Sequence, residues 1–434
     1  MAPIFTTSNL AADQNQLTME IMKKVARKHG MVCLLHEKPF ESVNGRGKHN
    51  NWSLSTNEGE NIFAPGSSPR ENAQFLLFLT AIMKAVDDYQ DLLRISVASA
   101  GNDHRLGANE APPAIMSIYM GDELSAVLKS IKNGTAYDKT SKKKMEIGVD
   151  VLPPIPKDST DRNRTSPFAF TGNRFEFRSV GSSLSISGPN TTLNSIYAYT
   201  LKGFADELEK AVAEKKDFDQ ELQSLIKREI TKHWKILFDG NGYGDEWKVE
   251  AEKRGLHNYK NTPEAMEHYL EKQNVKLYTE MGIYSEDEMK HHYDVKLEKY
   301  CKMLNIEVGT MLEMIHADIL PAAFGYMKDL AETYERSKSW CTPTAIKNLF
   351  EKLSKLTGEL SKDADELEKL HAVTKSKTDY MERAKSYAEK ILPFMEKTRA
   401  VADEIEPLLG QKYRPYPTYE DLLFSNDGFK LDNR

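Results

Sequence analysis

The sequence predicts an α+β fold, a sheet-bearing region followed by a long helical extension, and three observations carry that expectation. Composition shifts along the 434 residues: residues 1–200 hold 22 Lys and Arg and 20 Asp and Glu, whereas the remainder hold 37 and 45. The first part is punctuated by Gly, Pro, Ser and Asn clusters and contains the alternating run Arg174-Phe175-Glu176-Phe177-Arg178, which has the period of a strand. The second part carries Ile346, Leu349, Leu353, Leu356 and Leu360 at a spacing of three and four, resumed by Leu367 and Leu370.

Taken in order, Asp13 or Asn15 can cap a helix whose apolar positions are Leu17, Ile21, Met22 and Val25, stopped by Gly30. Met31–Leu35 reads as a short strand leading into a glycine-containing turn at 44–53. A helix is expected from Pro69 to Leu93, with Phe75, Leu76, Phe78, Leu79, Ile82 and Val86 on its apolar face. Residues 133–166, rich in turn signals, form a long connection of the kind that serves function or mobility. Alternation places Glu176 on the same strand face as Arg174 and Arg178, where burial without a counter-charge or ligand is costly. Beyond it, Met381, Ala384, Ala388, Ile391, Met395 and Ile405 form a second stripe, bent or broken near Pro393, so the two stripes predict an antiparallel helical pair packed as bundle core. Trp234, Trp247 and Trp340 are expected in cores or helix contacts. The domain change is placed near residue 205, dividing the chain into 1–205 and 206–434.

Several classes are disfavoured. A net charge of −6 argues against a phosphate-wrapping basic surface, so no nucleic-acid partner is expected. Cys33, Cys301 and Cys341 are too widely spaced for a zinc motif and suggest a reducing compartment. With no basic-then-apolar stretch in the first residues and no apolar run of membrane-spanning length, a cytoplasmic protein with no membrane partner is expected.

Three constellations are capable of chemistry. In Asn44-Gly45-Arg46-Gly47-Lys48-His49-Asn50-Asn51-Trp52-Ser53, glycines let backbone N–H groups approach an anion and His49 can ligate a metal or meet phosphate; the alternative is an ordinary turn. In the run Arg105–Ile115, Glu110 sits between Gly and Pro signals, either as a proton acceptor or as an exposed loop carboxylate. In the run Asn163–Arg178, arginine forks around Glu176 could bind phosphate and carboxylate with a divalent ion between them, or could form a structural salt-bridge cluster.

The order and wording of these runs, H-E-K-P-F, N-G-R-G-K-H-N-N-W-S, R-L-G-A-N-E-A-P-P-A-I and N-R followed by R-F-E-F-R, resemble the catalytic domain of glutamine synthetases, and their details are similar to the type III branch. The resemblance continues through S-S-L-S-I-S-G-P-N at 182–190 and covers essentially the whole chain. It implies a glutamine synthetase-like catalytic domain with an antiparallel-type sheet, incomplete at the amino terminus, and a type III helical extension. It also implies ATP-dependent ligation of ammonia to L-glutamate through a γ-glutamyl phosphate, with Mg²⁺ or Mn²⁺ as cofactor, ATP as co-substrate and homo-oligomeric rings in the complete enzyme. By the same resemblance His49 and Glu176 ligate metal, and Asn44, Gly45 and Arg105 bind the glutamate substrate. Ser53, Arg164 and Arg174 serve ATP. Glu110 closes the site and helps deprotonate the ammonia adduct, and Arg178 lies beside the γ-carboxylate.

Two departures stand out. Ala169 occupies a position where bacterial relatives carry another arginine, and Arg46 replaces a small residue between the turn glycines. The resemblance further implies that Met1 corresponds to an internal position of a longer enzyme whose upstream part holds more carboxylate ligands. The expectation is that the chain alone has little or no synthetase activity; the alternative function is a non-catalytic truncated fragment that keeps the scaffold and oligomer contacts.

Overall fold

Aromatic side chains organise the sheet from one face. The structure, a computed structural model, describes residues 6–36, 47–66, 68–107, 111–135, 144–145, 155–156 and 166–423. The chain begins with α1 (Ser8–Lys28), β1 (Lys48–Trp52), α2 (Ala73–Asp88), α3 (Gln90–Ser96), α4 (Ala100–Arg105), β2 (Ile118–Tyr119) and α5 (Asp122–Asn133). Next come β3 (Lys144–Met145), β4 (Ile155–Pro156), β5 (Phe168–Phe170), β6 (Phe175–Val180), α6 (Ser187–Ala213), α7 (Phe218–Lys232), α8 (Asp245–Lys253), α9 (Thr262–Met266) and α10 (Lys272–Glu280). The remainder is helical: α11 (Glu286–Glu313), α12 (Leu320–Ser337), α13 (Thr344–Lys375), α14 (Tyr380–Ser386), α15 (Leu392–Ile405) and α16 (Tyr419–Leu423). Contacts divide the chain into two units, Ser42–Leu297 and Met1–Glu41 with Glu298–Arg434.

In the unit Ser42–Leu297 the main sheet has the order β1-β6-β5-β2. β1, β6 and β5 are antiparallel neighbours, as expected, while the edge strand β2 runs parallel to β5, so the sheet is mixed. Phe168, Phe175 and Phe177 are fully buried. Phe168 and Phe175 stack at 4.7 Å, Phe63 meets Phe175 edge-on at 5.3 Å, and Trp52 meets Tyr197 of α6 edge-on at 5.4 Å. Burying so much aromatic surface on one side fixes the register, because a slip of one residue would move every ring to the other face. Asn50 and Trp52, two apart on β1, donate to Asn190 and Asn194, four apart on α6, at 2.8 and 2.9 Å, which locks strand to helix.

The single helix expected from Pro69 to Leu93 is two. Asn72 caps α2 by accepting from Phe75 N at 3.0 Å, and the helix breaks at Tyr89 before α3 resumes. Phe75, Leu76, Leu79, Ile82 and Val86 are buried as the pattern predicts, and Phe78 is half-buried. Trp247 is buried and stacks on Phe238 at 3.6 Å.

In the other unit α1 starts at Ser8, ahead of both expected caps, and ends on Gly30, whose φ of +67° lets Met31 N reach Ala26 O at 2.9 Å. Met31–Leu35 is not a strand: among the described residues no ladder partner reaches it, and Met31, Val32, Leu34 and Leu35 are exposed. The predicted helical pair is present. Thr374 Oγ1 meets Ser386 Oγ at 2.9 Å and Lys397 Nζ meets Asp363 Oδ1 at 2.8 Å, so partners advance on one helix as they retreat on the other, the signature of an antiparallel pair. Leu353, Leu360, Ala364 and Ile405 join Ile315, Ile319 and Ala323 of the preceding helices in one core. The break near Pro393 is a π-helical turn, Tyr387–Ile391, just before α15; a second one, Met314–Ile319, precedes Pro321 of α12 in the same way. Proline lacks an N–H and crowds the preceding turn, and the wider turn accommodates both. Trp340, expected in a helix contact, is 88% exposed in the turn between α12 and α13.

Candidate active site

His49 and Glu176 meet where β1 and β6 pair. Glu176 stands opposite Asn51 on one side and Ala169 on the other, alternating away from the aromatic core formed by Phe175 and Phe177. His49 Nδ1 lies 2.7 Å from Glu176 Oε1, with the carboxylate buried and the imidazole partly accessible. The register shifts at His49: Lys48 pairs with Val180 but Asn50 with Phe177, so β6 takes three steps where β1 takes two. The extra residue lies on β6, between Phe177 and Val180, while His49, two before Asn51 on β1, shares the face of Glu176 and reaches it diagonally across the strand pair. Ala169, the departure noted above, puts a buried methyl group across from this carboxylate.

Beyond the bulge, two arginines are held by backbone carbonyls. Arg105, at the end of α4, is 2% exposed; its Nη1 donates to Asn102 Oδ1 at 3.1 Å and its Nη2 to Arg178 O at 3.2 Å. Gly47 is the residue that permits this approach. A Cβ there would lie 2.4 Å from Val180 O and 2.6 Å from Arg105 Cζ, distances real side chains do not reach. Arg178, also buried, donates its Nη2 to Ser166 O.

At the opposite end of β6, a hairpin through Gly172 (φ +99°) and Asn173 joins it to β5, closed by Thr171 N donating to Arg174 O at 2.8 Å. Ser53 Oγ lies 3.2 Å from both Asn61 Oδ1 and Asn173 O, so this exposed serine marks the same end of the sheet as the half-buried Arg174. The sequence-derived residues His49, Ser53, Arg105, Arg174, Glu176 and Arg178 therefore gather along β1 and β6, although up to 129 positions separate them in the chain (Arg178 from His49). Asn44, Gly45, Arg46, Glu110 and Arg164 lie outside the described residues.

A second titratable group was not anticipated from the sequence. His233 is buried between two carboxylates, with Nδ1 2.7 Å from Asp87 Oδ2 and Nε2 3.2 Å from Glu229 Oε2. Burial opposes the charged imidazole, but the two hydrogen bonds outweigh it and raise the His233 pKa above the ordinary value; the same His233 bond draws Glu229 down to about 2. Asp87, Asp88 and His233 lie close enough to resemble a metal-ligand set. Lys235 Nζ at 3.3 Å from Asp87 and Lys84 bonded to Asp88 already neutralise those carboxylates, so the cluster reads as a charge network joining α2 to α7. Nothing in the local sequence signals it, because Asp87 and His233 are 146 positions apart.

Residues 4–147 match the family described as glutamine synthetase, catalytic domain, and residues 221–338 the family described as glutamine synthetase C-terminal domain. The chain is 48% identical over 335 residues to a type-3 glutamine synthetase of Dictyostelium discoideum, covering 77% of this chain and 45% of that one. It belongs to the glutamine synthetase family. A glutamine synthetase of Butyrivibrio fibrisolvens is 44% identical over 443 residues, covering 98% of this chain and 61% of the relative, and one of Bacteroides fragilis is 45% identical over 341 residues, covering 78% and 47%. The chain thus spans about half the length of the curated relatives it matches. Among its described residues no helix is long and apolar enough to cross a membrane.

Proposed function

We propose that the β1–β6 site is the carboxylate- and nucleotide-binding site of an ATP-dependent glutamate–ammonia ligase, which forms glutamine, ADP and phosphate. The observation that carries this reading is spatial order. Along the chain segment that forms β6, Arg174 just precedes the strand beside the Ser53–Asn173 contact, Glu176 follows and meets His49, and Arg178 comes next, its carbonyl held by Arg105. Arg174 and Arg178 are four positions apart, about 13 Å in extended chain, which suits a carboxylate near one, a phosphate chain near the other and the transferred group between them.

The chemistry explains why such an order is useful. A carboxylate is a poor acylating agent, so the γ-phosphoryl group of ATP passes to the side-chain oxygen of glutamate, breaking the β–γ phosphoanhydride bond. Ammonia then attacks the γ-carbonyl carbon and phosphate leaves. Phosphoryl transfer of this kind depends on positioning and charge neutralisation, the work assigned here to Arg105 and Arg178 on the carboxylate and to Arg174 and Arg164 on phosphate. Asn44 and Gly45 receive the backbone end of glutamate, Ser53 adjoins the nucleotide, and Glu110 accepts the proton lost from the ammonia adduct while shielding the acyl phosphate from water.

His49 and Glu176 fit a divalent ion: an imidazole nitrogen and a carboxylate oxygen converge from neighbouring strands, the donor types that Mg²⁺ and Mn²⁺ accept. Such an ion supplies charge neutralisation at phosphate oxygens. Assembly into rings belongs to the same reading, and sedimentation of the chain tests it.

One observation favours a second reading, a scaffold without turnover. Among the described residues, the grouping of three or more His, Cys, Asp or Glu side chains that resembles a metal site is Asp87, Asp88 and His233, not the pair on the sheet. Incubating the 434-residue chain with ATP, Mn²⁺, glutamate and ammonium separates the two. Equimolar glutamine and ADP supports the ligase and overturns the scaffold; neither product, from a folded chain that sediments as an oligomer, supports the scaffold and overturns the ligase.

A further inference from the structure

Arg105 is held by more than its own side chain. α4 is six residues long, too short to persist without tertiary anchors, so the position of its terminal guanidinium depends on what fixes the helix. Asn102 fixes it from the side of the sheet. It is 2% exposed, and its Nδ2 donates to Val97 O at 2.7 Å and Ser179 O at 2.8 Å while its Oδ1 accepts from Arg105 Nη1 at 3.1 Å. The carbonyls of Arg178 and Ser179, consecutive at the β6 bulge, thus receive Arg105 and Asn102 respectively.

Asp103 fixes α4 from another side, as adjacent helical residues point about 100° apart. Its Oδ1 accepts from Arg94 Nη2 at 2.7 Å and its Oδ2 from Thr262 N at 2.6 Å. Arg94, 1% exposed, also donates from Nε to Tyr259 O at 2.8 Å. Two further bonds join α3 to the same distant segment: Gln90 Oε1 accepts from His257 N at 2.7 Å, and Asp91 Oδ2 accepts from Asn274 Nδ2 at 2.6 Å. Residues 257–274 lie inside the match to the C-terminal domain, whereas Arg105 lies inside the match to the catalytic domain.

We propose that Asn102 and Asp103 are positioning residues for carboxylate recognition by Arg105, and that the 257–274 segment of the C-terminal domain sets where that guanidinium stands. This rests on the reading above, in which Arg105 meets the carboxylate of glutamate. The physical gain is pre-organisation. A guanidinium has five N–H donors on a long, mobile stem; two bonds to fixed acceptors and the close backbone of Gly47 define the plane of the fork before a ligand arrives.

The test uses the full 434-residue chain carrying Asp103→Asn, which keeps the shape and removes the charge, and Arg94→Lys, which keeps the charge and loses the fork onto Tyr259. Amide exchange at residues 100–107 and 259–266 should quicken by about tenfold or more while β1 and β6 keep their protection. Glutamate should bind about tenfold more weakly, with Mn²⁺–ATP affinity held within about twofold. Unchanged exchange at 100–107 in both variants overturns the proposal, as does a parallel loss of glutamate and nucleotide affinity, which marks general loosening. If the wild-type chain takes up no glutamate, the functional reading fails on that result, while exchange at 100–107 still decides the positioning role. Should Asp103→Asn fail to fold, Arg94→Lys carries the same measurements.

Discussion

The two units of the chain bury their polar groups in different ways. In the helical unit the buried hydroxyls bond locally or to the adjoining helix: Thr357 Oγ1 donates to Leu353 O and Thr398 Oγ1 to Phe394 O, at 2.7 and 2.8 Å, and Thr374 and Ser386 meet each other across the helical pair. What holds that unit together is an aliphatic core around Ile319, Leu353, Leu360 and Ile405. In the sheet-bearing unit some buried hydroxyls are equally local, as Thr200 Oγ1 is on Ile196 O, but buried charged and amide groups reach across the sequence. Arg94 meets Tyr259, Asn102 meets Ser179, Asp87 meets His233 and Asn274 meets Asp91. Local hydroxyl bonds relieve burial and do little else, whereas long-range networks of charged groups fix relative positions to within a hydrogen bond, which is what a catalytic surface needs. The proposed site lies in the unit whose buried charged groups make the long-range bonds.

Breaking each region at its own kind of contact should give distinct signatures. The largest effect is expected from Leu360→Ala, which removes a fully buried side chain from the helical core and should cost about 2–5 kcal/mol in denaturant unfolding, independent of pH. A smaller and pH-dependent effect is expected from His233→Gln. The raised His233 pKa means that its contribution is fully present below the unfolded histidine value near 6.5 and is lost as pH rises through the folded value. Glu229, drawn down to about 2, contributes above its unfolded value near 4.5 and loses that contribution as pH falls toward 2. Between these limits, at about pH 5–6, the substitution should cost about 1.5–3 kcal/mol, and the gap between wild type and variant should narrow toward pH 9. A gap that does not change with pH would show that the network is held by packing alone.

The smallest effect should be the same in both regions. Gly203 in α6 and Gly358 in α13 are helical glycines at which a Cβ would meet nothing within 4 Å. Replacing either with Ala should stabilise the chain by about 0.5–1 kcal/mol, because the helix gains propensity without a clash. A destabilising Gly203→Ala beside a stabilising Gly358→Ala would reveal packing demands in the sheet-bearing unit that its static geometry does not show.

Legibility in the sequence followed the range of the interactions. The stripes at Leu353–Leu367 and Ala384–Ile405 and the strand at Phe175–Val180 were readable because periodicity is a local property. Met31–Leu35 misled because a short apolar run has strand composition whether or not a partner strand exists, and the break at Tyr89 was hidden inside a continuous apolar pattern. Motifs name the residues of the site, yet they do not reveal the bulge in β6 opposite His49, nor the clash that keeps position 47 a glycine. Asn102 and Asp103 sit three and two positions before Arg105, but their partners, Ser179 and Thr262, are 77 and 159 positions away. Only folding brings such pairs together, and no pattern confined to one segment records them.

In the proposed function, β1 and β6 form one site in which a metal–nucleotide complex sits near Arg105, Arg174 and Arg178. Electron paramagnetic resonance of Mn²⁺ titrated into the chain with ATP, for wild type and Glu176→Gln, tests it most directly. Protein-bound Mn²⁺ is expected in wild type, with an affinity weakened about tenfold or more in the variant, since the amide keeps the shape of the carboxylate but loses its charge. Equal Mn²⁺–ATP affinity in the two proteins would contradict it.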